Sequence, residues 1–541
     1  MASPQSHSKK TPRRSSTANR PKPGNRHGHS HRHGNHHGGG EHAASSTPVI
    51  DPARRTALEV LTTVQRDGGY ANLVLPDMLK EANLHGRDAG LATELTYGTL
   101  RLLGRYDAMI EHCVNRSLDA VDPTVLDVLR LGTHQLHAMR IPTHAAVSTT
   151  VDLATMACGR GAAKFVNAVM RRLSERSLDE WLELLWNSAD DELMALADTS
   201  SHPRWIVAAM RQALVANGHD AEEIDDLLHA DNTNPPVTLC ARPGLIDPAD
   251  LAKETRKATT FGTVPGLYSP FSVVMDGGEP GRVGSVRAAR AGVEDEGSQM
   301  VALALSEFPI DGSDTQWLDM CAGPGGKAAL LGARAQQRGA LLVANEVTAH
   351  RAGLVRGSCH ALDESTVEVR CSDGRLIGDD EPARYDRVLV DAPCSGLGSL
   401  RRRPEARWRK SSSDVTDLSQ IQRELLTSAL KATRVGGVVA YVTCSPHVLE
   451  THMVVRDVLR RFFPDAVVRP LNALPAMSNV HGPAAEGITS APMDNVTNLF
   501  ASHGGQGLSI DKVDPSRDYL QLWPHTHGTD AMFCALIQRT A

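Results

Sequence analysis

The run "TQWLDMCAGPGGK", Thr315–Lys327, couples a short apolar stretch to a turn rich in glycine. Trp317 and Leu318 suit a buried strand. Gly323, Gly325 and Gly326 permit a tight turn in which a ligand can approach the backbone closely. The alternation continues along the chain. "ALLVANE", "TVEVRC", "DRVLVDAP" and "GVVAYVTCS" are short runs rich in Val and Leu, with helical segments such as "LSQIQRELLTSALKATRVGG" between them. Such runs, apolar on both faces and separated by helices, predict a parallel, doubly wound α/β sheet over residues 291–541. The terminal "DYLQLWPHTHGTDAMFCALIQR" reads as an antiparallel pair at one edge. The preceding "GPAAEGITSAPMDNVTNLFASHGGQG" reads as a long loop.

The chain has 541 residues, a length that predicts about three or four domains. Residues 1–48 carry eight Lys/Arg, one acid (Glu41) and a His/Gly-rich run, so a disordered basic tail is expected. Its histidines could chelate a metal, but a solvated tail with weak affinity for RNA is the simpler reading. Residues 49–175 read as a helical bundle. "DPARRTALEVLTTVQRDGG" begins with Asp51 as N-cap and Pro52 at the first helical position, and Gly68 and Gly69 stop it. Residues 176–290 read as helices followed by a small α+β connecting module. The net charge of −6 says little about a local RNA-binding face. Nine cysteines without a CxxC pair argue against a disulfide framework or a structural zinc. Reduced thiols in the cytoplasm fit better, and no metal is expected. No apolar run approaches a membrane span, and the N-terminus lacks the apolar core of a secretory signal.

In an open α/β sheet, ligands bind beyond the carboxyl ends of the strands. The first strand runs into "DMCAGPGGK", which is neither GxGxxG nor a P-loop. Its turn, Cys321, Ala322, Gly323, Pro324, Gly325, Gly326 and Lys327, is a candidate cofactor cradle. The second strand ends at Glu346, spaced to accept hydrogen bonds from ribose hydroxyls. The third is followed by Asp373, placed to meet an adenine amino group. Together they imply an adenosine-containing ligand, although each acid alone could be a helix cap or a surface charge. The fourth and fifth strands end in "DAPCSG" and "TCS", which put Cys394 and Cys444 at strand ends, with Asp391 three residues before Cys394.

"DMCAGPGGK", "DAPCSG" and "TCS", in this order, resemble the RNA cytosine-5 methyltransferases. In the N-terminal part "RRTALEVL", "RLGTHQL", "PTHAAVSTTVDLA" and "KFVNAVMRRL" resemble the NusB type of RNA-binding domain. The combination is similar to the bacterial 16S ribosomal RNA methyltransferases of the RsmB (Sun) type. The likeness implies a NusB-like bundle, a Rossmann-like catalytic domain, and S-adenosylmethionine as methyl donor. It also implies a sheet in which the fourth and fifth strands lie beside the first. A thiolate adds to carbon 6 of the cytosine, carbon 5 takes the methyl group, a base removes the carbon 5 proton, and the thiolate leaves. Asp391 is the candidate to hydrogen-bond ring nitrogen 3, and it is also expected among the residues that bind the cofactor. Spacing does not decide which cysteine attacks. DNA cytosine methyltransferases use a Pro-Cys cysteine, which favours Cys394. The RNA family implies Cys444 as nucleophile, with Cys394 assisting release. Two features depart from the family pattern: Gly323 replaces a frequent alanine, and Glu346 stands where Asp is frequent. Glu450, where the family often has "PEEN", receives no role.

After Cys394 come Arg401, Arg402, Arg403, Arg407 and Trp408, a basic run expected to contact RNA, with Trp408 stacking on a base. The alternative is a solvated loop that Trp408 anchors in the core. The expected partner is RNA, 16S rRNA first, acted on by a monomer; neither DNA nor a membrane is expected. The rivals are the same chemistry on tRNA or another RNA, and a non-catalytic RNA-binding or assembly factor.

Overall fold

A computed structural model describes residues 51–469 and 519–541. The basic tail and the long loop fall outside the described residues. Helices α1 (Pro52–Arg66), α2 (Ala71–Glu81), α3 (Gly86–Arg101), α4 (Leu103–Cys113), α5 (Pro123–His137) and α6 (Thr143–Leu173) form the N-terminal bundle. Asp51 caps α1 as expected, its side chain accepting from the Ala53 and Arg54 backbone N–H groups. The core of the bundle is built from Leu61, Leu95, Met109, Val128 and Val166, all fully or almost fully buried. Among the described residues no helix is long and apolar enough to cross a membrane.

Four helices continue the chain: α7 (Leu178–Ser188), α8 (Glu192–Ser200), α9 (Arg204–Ala216) and α10 (Ile224–Asp231). A small antiparallel sheet follows, built from β1 (Val237–Ala241), β2 (Thr263–Pro265), β3 (Ser272–Met275) and β4 (Ala291–Val293) in the order β2-β3-β1-β4. Helices α11 (Pro248–Thr259) and α12 (Gly284–Arg287) lie in its connections. The sheet runs past the expected limit at residue 290, because β4 pairs with β1 at Leu239–Val293, Cys240–Gly292 and Ala241–Ala291.

The next helix, α13 (Glu296–Glu307), is buried over most of its length. Met300, Leu303 and Ala304 share one core with Leu239 and Val273 of the small sheet and with Trp317, Leu389 and Val442 of the large one. The connecting module is therefore welded to the large sheet.

That sheet contains β5 (Gln316–Asp319), β6 (Leu341–Asn345), β7 (Val367–Arg370), β8 (Tyr385–Asp391), β9 (Thr433–Thr443), β10 (Val467–Arg469), β11 (Leu520–Gln521) and β12 (Phe533–Gln538). Helices α14 (Gly326–Arg338), α15 (Ala349–Cys359), α16 (Ile377–Asp380), α17 (Ser412–Ala432), α18 (His452–Phe462) and α19 (Pro524–His527) accompany it. The order β10-β12-β9-β8-β5-β6-β7 places β8 and β9 beside β5, as the family likeness implied. Strands β5 to β9 pair in parallel, while β12 runs antiparallel to β9 and closes the edge with β10 and β11. All residues of β8 but the last are buried, which explains the apolar run Val388–Val390; the buried Asp386 and Arg387 before it are paired with Arg434 and Asp314.

Candidate active site

A cleft of 720 Å3 opens at the carboxyl ends of β5 and β8. The turn after β5 contributes Ala322, Gly323, Pro324 and Gly326 to it, α14 contributes Lys327, and β8 contributes Asp391. The opposite wall belongs to the connecting module and includes Thr238, Arg242, Gly292 and Glu294. No motif in the sequence of this module points to a site.

Gly325 caps α14 with φ of +116°, and a Cβ there would lie 2.7 Å from Ser358 Cβ and 3.0 Å from Val355 Cα. Only glycine fits that corner. Glu346, just past β6, is buried behind the turn. Its Oε2 accepts from the Gly323 backbone N–H at 3.2 Å, and its Oε1 from that of Thr348 at 3.0 Å. A Cβ on residue 323 would meet Glu346 Oε2 at 2.3 Å. The two departures from the family pattern are thus one feature: the longer acid occupies the room that an alanine methyl would fill.

Lys327 Nζ contacts Asp391 Oδ2 at 2.9 Å and Ser298 Oγ at 3.2 Å. Burial opposes its charge, but Asp391 and Glu294 outweigh that and hold its pKa above the usual range. The expected cradle lysine therefore acts as the partner of Asp391. Asp319, at the end of β5, lines the cleft and is buried. Burial, then the charge of Asp391, push its pKa up to about 8, against the pull of Lys327. Among the described residues neither of its carboxyl oxygens makes a hydrogen bond of normal geometry. The other acids at this cleft, Glu294, Asp295 and Asp530, are already paired with Arg242, Arg401 and Arg402, so among the described residues the buried Asp319 carboxyl is the one left to meet a cationic ligand. S-adenosylmethionine, with its ammonium and sulfonium groups, fits that donor set.

Cys394 Sγ and Cys444 Sγ lie 3.3 Å apart at the ends of β8 and β9. The hydrogen bond between them lowers the Cys444 pKa, with help from Lys327 against burial and Asp391. The same bond, then burial, push Cys394 well above the usual range. One thiol is biased toward thiolate and the other toward the protonated form.

The model of the "16S rRNA methyltransferase RsmB/F" family matches residues 309–538, and that of the NusB family residues 51–175. A Bacillus subtilis protein named "Probable ribosomal RNA small subunit methyltransferase B" is 30% identical over 72% of this chain and 84% of its own length. The chain belongs to the RsmB/F family. It is an S-adenosylmethionine-dependent RNA methyltransferase. A Mycobacterium tuberculosis protein, named only as a methyltransferase, is 45% identical to this RsmB/F member over 91% of the chain and 97% of its own length. The crystal structure of PH0851 shares the fold, with a TM-score of 0.69 over 91% of this chain and 99% of that one at 18% identity.

Three expectations for this RsmB/F protein need correction. First, Arg401 and Arg402 are not free for RNA. Both pair with Asp295 and Asp530, Arg401 Nε lying 2.7 Å from Asp530 Oδ1 and Arg402 Nη2 lying 2.7 Å from Asp295 Oδ1. Arg407 is fully buried and donates to the carbonyls of Arg101, Ser201 and Asp231 and to Asn232 Oδ1, at 2.8–3.1 Å. Trp408 lies against Gly104 of α4, where a Cβ would come 2.3 Å from its ring, and its remaining face is exposed, which leaves the expected base contact open. The run fastens the bundle and the connecting module to the catalytic domain, and a charge run in sequence does not reveal such internal acceptors. Only Arg403 in it is exposed at the cleft, with its guanidinium 6.0 Å from the Tyr70 ring centre.

Second, Asp373 is not brought to the cleft. It pairs with Arg375 at 2.6 Å and borders a separate groove along α17. Third, Cys321 is half-buried beside the apolar core of the sheet and is not part of the cleft lining, from which Glu346, Cys394 and Cys444 are also absent. The sequence reading also passed over Asp319 and Ser298, although Asp319 opens the quoted motif.

Proposed function

We propose that this enzyme methylates carbon 5 of a cytosine in 16S rRNA through a covalent bond from Cys444. The contact of two thiols beside the Asp391–Lys327 pair carries the reading. Bound S-adenosylmethionine supplies an electrophilic methyl group on a sulfonium. The chain's own residues prepare the base. Cys444, biased toward thiolate by the Cys394 S–H, forms a bond to ring carbon 6. Asp391, bridged to Lys327 at 2.9 Å, relays a proton from that ammonium to nitrogen 3 of the cytosine as the ring takes up electron density. Carbon 5 gains the methyl and loses its proton to a base, and the carbon–sulfur bond breaks as Cys394 assists release. The target base enters the cleft unpaired or flipped. Asp319 meets the cationic end of the donor, and Glu346, held by the Gly323 and Thr348 N–H groups, sets the turn against which its ribose lies.

The 16S target rests on the family match and on relatives whose names state the small-subunit RNA. Bisulfite sequencing of total RNA from a deletion strain tests it. Loss of one 16S methylcytosine is expected; unchanged 16S with a lost tRNA mark would refute the target. Cytosine-5 chemistry itself fails if RNA carrying 5-fluorocytosine forms no covalent complex with the enzyme and cofactor.

A further inference from the structure

Glu450 ends the short turn between β9 and α18 and is completely buried. Its carboxylate collects donors from three places in the chain. Ser395 donates through both its backbone N–H, at 2.7 Å, and its hydroxyl. The Ser445 hydroxyl donates at 2.6 Å, and Gln422 Nε2 at 3.1 Å. Ser395 directly follows Cys394, and Ser445 directly follows Cys444. The two hydroxyls also touch each other, 3.1 Å apart. Gln422 Nε2 reaches the Pro393 carbonyl as well, at 2.9 Å, so the Pro-Cys turn is gripped on both sides of its thiol. The Glu450 backbone is anchored in turn, its carbonyl accepting from the Tyr441 hydroxyl at 2.7 Å. Among the described residues no cation pairs with this carboxylate; neutral donors alone hold it.

Such a cluster exceeds what folding the turn requires. A buried carboxylate is costly unless its acceptor sites are filled. Among the described residues every donor to the side chain comes from the two thiol turns or from the glutamine that braces them. We propose that Glu450 is a positioning residue of the methyl-transfer site: it ties the Pro393–Ser395 turn to the Cys444–Ser445 turn and so keeps the Cys394 thiol in contact with the Cys444 sulfur. The arrangement also divides the labour between the thiols. The Glu450 charge disfavours a second anion at Cys394, which adds to the hydrogen bond and burial already acting there. The shared proton stays on Cys394, and Cys444 is left as the nucleophile. The inference deepens the cytosine reading and rests on it for the roles of the two thiols.

The test follows the thiols directly and needs no RNA. The full-length enzyme is alkylated with iodoacetamide at pH 7, and modification of Cys444 and Cys394 is measured separately by peptide mass spectrometry. Wild type is expected to react mainly at Cys444. In Glu450→Gln the remaining oxygen still accepts from Ser395 N–H and Gln422, and the new amide donates to the serine hydroxyls, so the turn keeps its shape. The ratio of Cys444 to Cys394 labelling is expected to fall about tenfold, equivalent to one pKa unit between the thiols. Ser445→Ala, which removes one strut and keeps the charge, is expected to fall by a smaller factor in the same direction. A purely structural role would raise labelling of both thiols together and leave the ratio unchanged. A ratio within twofold of wild type in both variants overturns the proposal. If the ratio shifts while 5-fluorocytosine RNA is never trapped by wild type, the role of Glu450 stands and the cytosine reading fails.

Discussion

Replacing Gly323 by alanine tests the fitted pair of glycine and acid behind the cofactor turn. The added methyl would stand 2.3 Å from Glu346 Oε2 and 3.0 Å from Arg351 Nε. The carboxylate cannot simply swing aside. It accepts from Gly323 and Thr348, and Arg351 presses on it from 3.4 Å while donating to the Gly323 carbonyl at 2.6 Å. Forcing a methyl into a filled site costs about 1–3 kcal/mol. If the strain falls on the bound state, the Kd for S-adenosylmethionine rises by roughly 5- to 150-fold. Glu346→Asp draws the carboxylate back by about one bond length and reopens the room. Isothermal titration of wild type, both single variants and the double variant forms a complete cycle. The double variant is expected to bind better than Gly323→Ala alone, with a coupling of about 1 kcal/mol or more. Additivity within about 0.5 kcal/mol would refute the claim that the two positions share one space.

Three further outcomes are expected. Arg407→Ala removes a buried cation that satisfies four acceptors at the junction of three chain segments, and should cost about 3–5 kcal/mol in chemical denaturation; a loss below about 1 kcal/mol would contradict the junction's importance. Asp319 has a folded pKa raised to about 8. The folded protein therefore holds a proton that the unfolded chain releases above roughly pH 4, and stability falls as pH rises from there to about 8. Asp319→Asn should flatten that part of the stability–pH profile, and an unchanged slope would count against a neutral buried carboxyl. With 5-fluorocytosine RNA, Cys444→Ser should form no adduct and Cys394→Ser should accumulate it, as read on denaturing gels. An adduct in Cys444→Ser would move the nucleophile to Cys394.

The strands were legible because each central strand carries a stretch buried on both faces that reads as a short apolar run, Val388–Val390 in β8 and Val438–Val442 in β9. The strand-end residues Asp391, Cys394 and Cys444 followed, since strand order brings β8 and β9 together beside β5. Arg401 and Arg407 were misread because their acceptors, such as Asp530 and the Arg101 carbonyl, lie 129 and 306 residues away. Glu450 was left without a role for the same reason, since two of its partners are Ser395 and Gln422 in other elements. The wall supplied by the small sheet was invisible, because its short strands carry no motif and become part of the cleft only through the shared core around α13.

That junction at Arg407 has a consequence for the substrate. Hydrogen bonds from one guanidinium reach the end of α3, the start of the α8–α9 turn and the end of α10, and its own backbone belongs to the segment just after Cys394. The helical bundle and the two thiols are then two jaws of a fixed caliper rather than beads on a string. An RNA that touches both must present its target base at one set span from the stretch that meets the bundle. Selection among bases becomes partly a measurement of distance, made before any base edge is read.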